Sequence, residues 1–539
     1  MDKLESIVSQ LATTVLETLA GQTIIRAVKS AYETDSTRGL ARLILDRYGN
    51  KIIYQTELRK AFIDRMSSKE AISACSFLNI LVAEGANKYE AYERLNQRFS
   101  TNFTQKKAEE FIRIFDLPEW LIPEKTIDSR ESEILVTSVY GEKLESKGTL
   151  HPYQVSLKDA IAEKIDQGQK RLLAQMPTGA GKTMTALELI TDFIRSHKFK
   201  GLIVWIVDSN ELADQALEAF NNLWRLRGDR PTKAYRFFSD FNVEFSGCAS
   251  GIVFTSFPKC NASRTSKNQQ DQNNFIDLCK RTSLVMVDEA HTSIAPTYFL
   301  TINELIKYDA TLIGLSATPS RNNDQFGTAE LHGMYSNLIG MRNLDGLPIS
   351  DPIKYLQDSG YLAEIEYTEL DSDCVLGHSN EGEACNTLSQ DPKRNNIIIK
   401  QIETAVSLNE ATIVYACTVD HVIALIALCR AKKIDADFII GEVPQHKRLE
   451  IFTRFKAGEL KVIINHEILS TGIDLPNLNR LIITRPIGSS ILYSQIIGRA
   501  LRGPKNGGHK KNTIVNIKDN YKNYPNMNLL YQLFTNQFN

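Results

Sequence analysis

Gln175-Met176-Pro177-Thr178-Gly179-Ala180-Gly181-Lys182-Thr183 is the stretch that decides how this chain folds. Ahead of it, Arg171 to Met176 is a short, largely apolar run suited to a buried parallel strand; behind it, Met184 to Phe193 carries helical spacing. A strand, a glycine-rich turn and a helix in that order make a loop whose backbone N–H groups wrap a β-phosphate, with the helix N-terminus adding its partial positive charge. In such a loop Pro177, Thr178, Gly179, Ala180 and Gly181 form the cradle, Lys182 reaches the β/γ oxygens and the Thr183 hydroxyl ligates Mg²⁺. The stretch departs from G-x-x-x-x-G-K-[ST] at Met176, where the general pattern has glycine.

About a hundred residues further on, the apolar run Ser283 to Val287 ends in Asp288-Glu289-Ala290-His291. Two carboxylates side by side at the tip of a buried strand divide the labour of hydrolysis. Asp288 holds Mg²⁺, directly or through water, and Glu289 orients and deprotonates the attacking water. Together the two motifs imply a site for ATP and Mg²⁺.

Length and composition set the bounds. A chain of 539 residues has material for three to four domains. With 63 basic and 64 acidic residues the net charge is −1, so a nucleic-acid partner must be met by local clusters, not by the overall field. The eight cysteines never form a C-x-x-C pair, which reads as reduced, mostly buried thiols and no zinc module. No basic-then-apolar leader and no apolar run of about 18 residues is present, so the expectation is a soluble, cytoplasmic protein without a membrane partner.

The pattern changes along the chain. Residues 1–145 show helical spacing, as in Leu58, Phe62, Met66 and in Ile72, Phe77, Ile80, Leu81, and read as an all-α accessory domain. Leu117-Pro118, Ile122-Pro123 and a charged stretch mark its end, and it is expected to dock semi-independently. In residues 146–362 the short apolar strands alternate with helices, the signature of a parallel sheet, with the polar stretch 261–274 read as a surface insertion. Residues 363–394 are polar and read as a linker, and residues 395–539 repeat the strand and helix alternation. The fold class is therefore α/β: two tandem units with parallel sheets, preceded by an all-α domain, with a ligand cleft at the carboxyl ends of the strands.

The ordered motifs over roughly residues 150–520 resemble a superfamily 2 helicase motor with two RecA-like domains. The resemblance implies roles residue by residue. In His151-Pro152-Tyr153-Gln154, Gln154 contacts adenine; His291, Ser316 and Thr318 couple hydrolysis to domain movement. Gln495-Ile496-Ile497-Gly498-Arg499-Ala500-Leu501-Arg502 fits Q-x-x-G-R-x-x-R, with Gln495 in the site and with Arg499 and Arg502 three apart on one helical face as arginine fingers. Asp474 of Ser470-Thr471-Gly472-Ile473-Asp474 belongs with the nucleotide site. Thr255, Ser256, Thr471 and Gly472, at strand ends, are the expected contacts to nucleic-acid phosphates.

Gly314-Leu315-Ser316-Ala317-Thr318-Pro319-Ser320-Arg321, Ser359-Gly360-Tyr361-Leu362-Ala363 and Gly472-Ile473-Asp474-Leu475-Pro476 look most like the duplex-DNA motors of restriction enzymes and related repair helicases, so DNA is favoured over RNA. A search for a nuclease carboxylate pair finds only Glu145-Ser146-Lys147 without an upstream partner, so cutting would need another subunit, and the helical domain is expected to dock a protein partner such as a nuclease. Two alternatives stay open from sequence: an RNA helicase, and an ATP-gated nucleic-acid sensor that switches a partner without processive unwinding.

Overall fold

The computed structural model describes residues 2–31, 37–81, 88–100, 102–122, 130–138, 150–317, 325–343, 346–376, 380–467, 475, 477–487 and 490–520. Two sheets organise the molecule. The first contains β1 (Glu133–Val136), β2 (Arg171–Gln175), β3 (Leu202–Val207), β4 (Thr232–Phe237), β5 (Gly251–Ser256), β6 (Thr282–Val287), β7 (Thr311–Ser316) and β8 (Asn337–Ile339), in the order β1-β4-β5-β3-β6-β7-β2-β8. All its pairings are parallel except β1 with β4. The second contains β9 (Glu364–Val375), β10 (Thr412–Tyr415), β11 (Ala436–Ile439), β12 (Val462–Asn465), β13 (Arg480–Ile483) and β14 (Lys511–Asn520), parallel throughout in the order β11-β12-β10-β13-β14-β9.

Strands in a parallel sheet are covered on both faces, and their sequences show it: all six residues of β3, Leu-Ile-Val-Trp-Ile-Val, are buried, as are all six of β7. Register then lines up the functional strand tips. Gln175 of β2 lies opposite Ser316 of β7, and Val287 of β6 lies opposite Gly314, so the phosphate loop, Ser316 and Asp288 emerge along one edge.

Several boundaries differ from the sequence reading. Residues 363–394 are not a linker. β9 pairs with β14 over most of its length, and the helices Glu381–Gln390 and Pro392–Ser407 follow it into the second domain. β9 is an edge strand with one wet side, which gives it the polar, acidic alternation of a loop. The stretch 261–274 is mostly helical, shared between helices Phe257–Arg264 and Gln269–Arg281, the second capped by Asn268. The accessory region also ends earlier than residue 145, because β1 adds antiparallel to β4 and so belongs to the first sheet. In the helix Ser68–Phe77, Ala71, Ala74 and Cys75 face inward while Ile72 and Phe77 are exposed, since the small residues allow close approach to the helix Lys88–Ser100.

The helical region packs on the second motor domain. Its helix Thr13–Ala31 lies against the helix Val419–Ala431, in which Val422 through Ala427 are consecutively buried. A helix that is apolar all round must be covered on every side. The sheet covers one side and the accessory helices the other, so one hydrophobic core runs from Leu4 to Ile517. Ion pairs ring this contact: Arg47 with Asp420 at 2.7 Å, Arg430 with Asp46 at 2.7 Å and Lys51 with Glu442 at 3.2 Å. Semi-independent docking is therefore not what is found; the accessory helices complete the core of the second motor domain.

A chain beginning at Arg130, which keeps β1 but lacks the helices, is expected to aggregate or lose its cooperative melting transition, because each newly exposed large apolar side chain costs about 1.5–3 kcal/mol. A soluble fragment with an unchanged melting temperature would contradict this packing argument. In the intact chain, reversing Arg47→Asp should lower stability by about 1.5–3 kcal/mol and Arg47→Asp with Asp420→Arg should restore most of it, as read from denaturant midpoints.

Candidate functional site

The phosphate loop begins where β2 ends. Gly179 and Gly181 take φ of +82° and +86°, the left-handed region that glycine enters without strain, and the helix Lys182–Arg195 starts directly after Gly181. A Cβ on Gly181 would lie 2.4 Å from the Gln154 amide nitrogen, so a side chain there would push the Gln154 amide, on the helix Pro152–Asp166, away from the loop. Tyr153 Oη donates to the Ala180 carbonyl at 2.9 Å, and Gln154 Nε2 donates to the carbonyls of Ala180 and Gly181 at 3.2 and 3.3 Å. The Gln154 oxygen accepts from the His151 N–H at 2.8 Å. The amide that the sequence reading gives to an adenine edge is thus bonded at both ends within the protein, where it holds the loop.

At the tip of β6, Thr183 Oγ1 donates to Asp288 Oδ2 at 3.0 Å, and the Glu289 N–H donates to Asp288 Oδ1 at 3.0 Å. A hydroxyl and a carboxylate side by side are the hard oxygen donors that suit Mg²⁺, and the flanking backbone amides suit its phosphates; the residues present fit the group. Glu289 has φ +52° and ψ +53°, a left-handed conformation that costs a non-glycine residue about 1–3 kcal/mol. That turn brings its carboxylate 3.7 Å from the Lys182 ammonium and 3.5 Å from Nδ1 of the buried His291.

Electrostatics separates the two carboxyls. Burial, then repulsion from Glu289, pushes Asp288 up to about 6. Burial also works against ionising Glu289, but Lys182, His291 and Arg499 outweigh it and hold this carboxyl below its ordinary range. A cation at Asp288 would favour its charged form, and so would bring it back down toward the ordinary carboxylate range beside the charged Glu289.

The opposite wall of this cleft of about 650 Å³ comes from the second domain, through Leu475, Gln495, Gly498, Arg499 and Arg502. Contact across it is direct: a Cβ on Gly498 would lie 2.0 Å from Thr178 Cγ2, and one on Gly179 would lie 3.2 Å from the Gly498 carbonyl. Arg499 stands in the helix Ser490–Ala500, but Arg502 does not share it. Gly503-Pro504 follows, the helix stops short of the proline, and Arg502 forms a bridge with Leu362 instead. Both arginines still line the cleft.

The remaining sequence candidates divide. Ser316 is buried at the end of β7, where its carbonyl accepts from the Met176 N–H at 3.1 Å beside the phosphate loop. Thr318, Thr471, Gly472 and Asp474 lie outside the described residues. Thr255 and Ser256 do not fit their assignment as nucleic-acid contacts. Thr255 Oγ1 is fully buried and donates to the Phe237 carbonyl at 2.6 Å; Ser256 Oγ is bonded to Asn210 Oδ1 at 2.7 Å. The pleat of β5 and the packing of the following helix turn both hydroxyls inward. Sequence reasoning gave no role to Gly498, Tyr361 or Asn506. A glycine inside an arginine motif and a Pro-Lys-Asn-Gly-Gly turn carry no signal of their own until the contacts are seen.

Comparisons agree with this geometry. The family "Type III restriction enzyme, res subunit" matches residues 147–321, and "Helicase conserved C-terminal domain" matches residues 393–504. The type I restriction enzyme EcoKI endonuclease subunit of Escherichia coli K12 is 26% identical over 72% of this chain and 36% of its own length. The putative ATP-dependent helicase IRC3 of Saccharomyces cerevisiae is 26% identical over 66% of this chain and 50% of its own length. This chain therefore spans a third to a half of the length of those relatives. The solved structure of the ATP-dependent type ISP restriction-modification enzyme LlaBIII bound to DNA shares the fold, with TM-score 0.51 and 14% identity over 72% of this chain and 29% of that one. Residues 147–321 and 393–504 thus carry the domains that these two families describe, their motifs gather on one cleft, and in both the chain is similar to the motors of superfamily 2 helicases and translocases.

Proposed function

We propose that this chain is a nucleic-acid-dependent ATP hydrolase that moves along DNA, as a translocase or helicase of a restriction, repair or anti-phage system. The observation that supports it best is the two-sided cleft: Lys182, Thr183, Asp288 and Glu289 on one wall, Gln495, Arg499 and Arg502 on the other, in contact at Thr178 and Gly498. DNA, not RNA, is inferred from the restriction-type relatives and from the motifs quoted above. A partner that docks on the helical region, a nuclease subunit among them, would meet a body that moves with the second motor domain.

In this reading Lys182 exchanges its ion pair with Glu289 for the β/γ oxygens of ATP, and Glu289 is released to orient and deprotonate the attacking water. Thr183 and Asp288 would hold Mg²⁺, which would supply neutralisation of the developing phosphate charge. Arg499 and Arg502 stabilise that charge in the closed cleft, and loss of the γ-phosphate removes what they grip. Asp474, Thr318, His291 and Ser316 are placed with the nucleotide and coupling elements by motif. For the nucleic-acid track, Thr471 and Gly472 remain the proposed contacts in the second domain, and backbone amides at the ends of β3 and β5 replace the hydroxyls of Thr255 and Ser256 in the first.

ATPase rates with single-stranded, duplex and forked DNA and with RNA test the reading. Stimulation by DNA with strand displacement or triplex displacement supports a motor; stimulation without displacement supports the sensor, and preference for RNA overturns the choice of track.

Glu289→Gln should abolish turnover yet trap ATP, since it keeps shape and loses the base, whereas Lys182→Ala should lose phosphate contacts and affinity together. Near-normal turnover of Glu289→Gln would remove it as the base. Arg499→Ala should lower kcat by about 10³-fold with ATP affinity less affected. Gly498→Ala should do the same by a steric route, its methyl meeting Thr178 before the cleft closes; equilibrium binding of a fluorescent ATP analogue beside steady-state rates separates the two parameters.

A further inference from the structure

Beyond the family motifs, the loop that follows the arginines is bonded back onto the first domain. Asn506, in the short turn Pro504–Asn506, donates through Nδ2 to the Tyr361 carbonyl at 2.8 Å, and its Oδ1 lies 2.7 Å from His151 Nε2. A carbonyl can only accept, so the first bond fixes the amide: Nδ2 faces Tyr361, Oδ1 faces His151, and His151 donates from Nε2. His151 caps the helix that carries Tyr153 and Gln154, the two side chains holding the phosphate loop. Tyr361 belongs to the crossing between the two sheets. One half-buried amide therefore ties the first motor domain, the crossing and the arginine segment together.

The surroundings are built for that tie. The N–H groups of Gly503 and Lys505 donate to the carbonyls of Tyr361 and Gly360 at 3.1 and 3.0 Å. A Cβ on Gly503 would lie 2.7 Å from backbone atoms of Gly360, Tyr361 and Leu362, so the two strands of chain touch without a side chain between them. The Tyr361 ring sits 4.5 Å from the His151 ring and 4.9 Å from the Tyr153 ring, with the Lys505 ammonium 4.4 Å from its centre. Tyr153 in turn holds Ala180. The line from the phosphate loop to Arg502 thus runs through Ala180, Tyr153, His151 and Tyr361 to Asn506.

We propose that Asn506 is a positioning residue for ATP hydrolysis: through His151 and Tyr361 it sets the angle at which the second domain closes, and so where Arg499 and Arg502 stand relative to the phosphate loop. This rests on the hydrolase reading above. Asn506 touches neither phosphate nor the reacting water; it acts through the arginines.

The test uses the full chain with Asn506→Ala, His151→Phe and the double variant. His151→Phe keeps a ring against Tyr361 and loses the Nε2 donor, so it removes the same hydrogen bond by a second route. Expected is a fall in DNA-stimulated kcat of about 10- to 100-fold in each single variant, with the affinity for a fluorescent ATP analogue changed by less than about threefold, because misplacement and not binding is lost. The double variant should be no worse than the poorer single one, since both remove one bond. Unchanged kcat in Asn506→Ala, equal losses in kcat and affinity, or multiplying defects in the double variant would overturn the proposal. Small-angle X-ray scattering with a non-hydrolysable ATP analogue gives a readout independent of turnover: Asn506→Ala should be more open than the parent chain. If the parent chain hydrolyses no ATP, the motor reading fails, while identical scattering of parent and variant would by itself refute the tie.

Discussion

Two charged groups of the first domain, Lys182 and Glu289, neutralise each other beside the phosphate loop. Lys182, which is buried, and Glu289, which is half-buried, stand 3.7 Å apart, and a buried ammonium left there alone would carry a desolvation cost. Their pairing, with His291 behind Glu289 and Thr183 beside Asp288, keeps the site charged and folded. In the mechanism proposed above the same pairing governs the chemistry: whatever draws Lys182 away must bring negative charge, and doing so would free the Glu289 carboxylate. The left-handed turn at Glu289 is the local strain that this arrangement requires.

The second domain depends on a different constraint. Its helix Val419–Ala431 has almost no polar face, because it lies between its own sheet and the accessory helices. Burial on both sides leaves little freedom for the accessory helices to rotate, so they add mass and surface to the second domain. The ion pairs Arg47 with Asp420 and Arg430 with Asp46 lie at the edge of that contact, partly withdrawn from water, where they fix its register and add to its strength.

The central strands and the phosphate loop were legible in the sequence because buried parallel strands are uninterrupted apolar runs and glycine-rich loops have few other uses. β2 and β6 fall where the apolar runs Arg171 to Met176 and Ser283 to Val287 predict them. What was not legible is equally physical. β9 reads as a linker because its exposed side is acidic, and the burial of Thr255 and Ser256 cannot be read from their types, since a hydroxyl at a strand end serves a phosphate or a neighbouring carbonyl equally well. Arg502 left the predicted helix because a proline two residues on outweighed the three-residue spacing. Gly498 and Asn506 act only across the cleft, and a one-dimensional pattern holds no information about what stands opposite.

The misread linker has the larger mechanical consequence. The chain crosses from the first sheet to the second just before β9, and the arginine segment returns to the same place: the Ala363 N–H bonds the Leu501 carbonyl at 2.8 Å, the Glu364 N–H bonds the Lys510 carbonyl at 2.9 Å, and pairing of β9 with β14 carries on from there. A flexible linker would let the second domain approach the phosphate loop from many angles, and the arginines would reach the γ-phosphate position in only a small fraction of encounters. Catalysis by positioned charge is sensitive to displacements of about 1 Å. Backbone hydrogen bonds running from the crossing into β9 and β14 fix the arginine segment to the crossing, so that under the proposed mechanism any rotation of the second domain would displace Arg499 and Arg502 with it. The polar residues that make β9 look like a linker in sequence are those of a wet sheet edge, and that edge is where the crossing and the arginine segment meet.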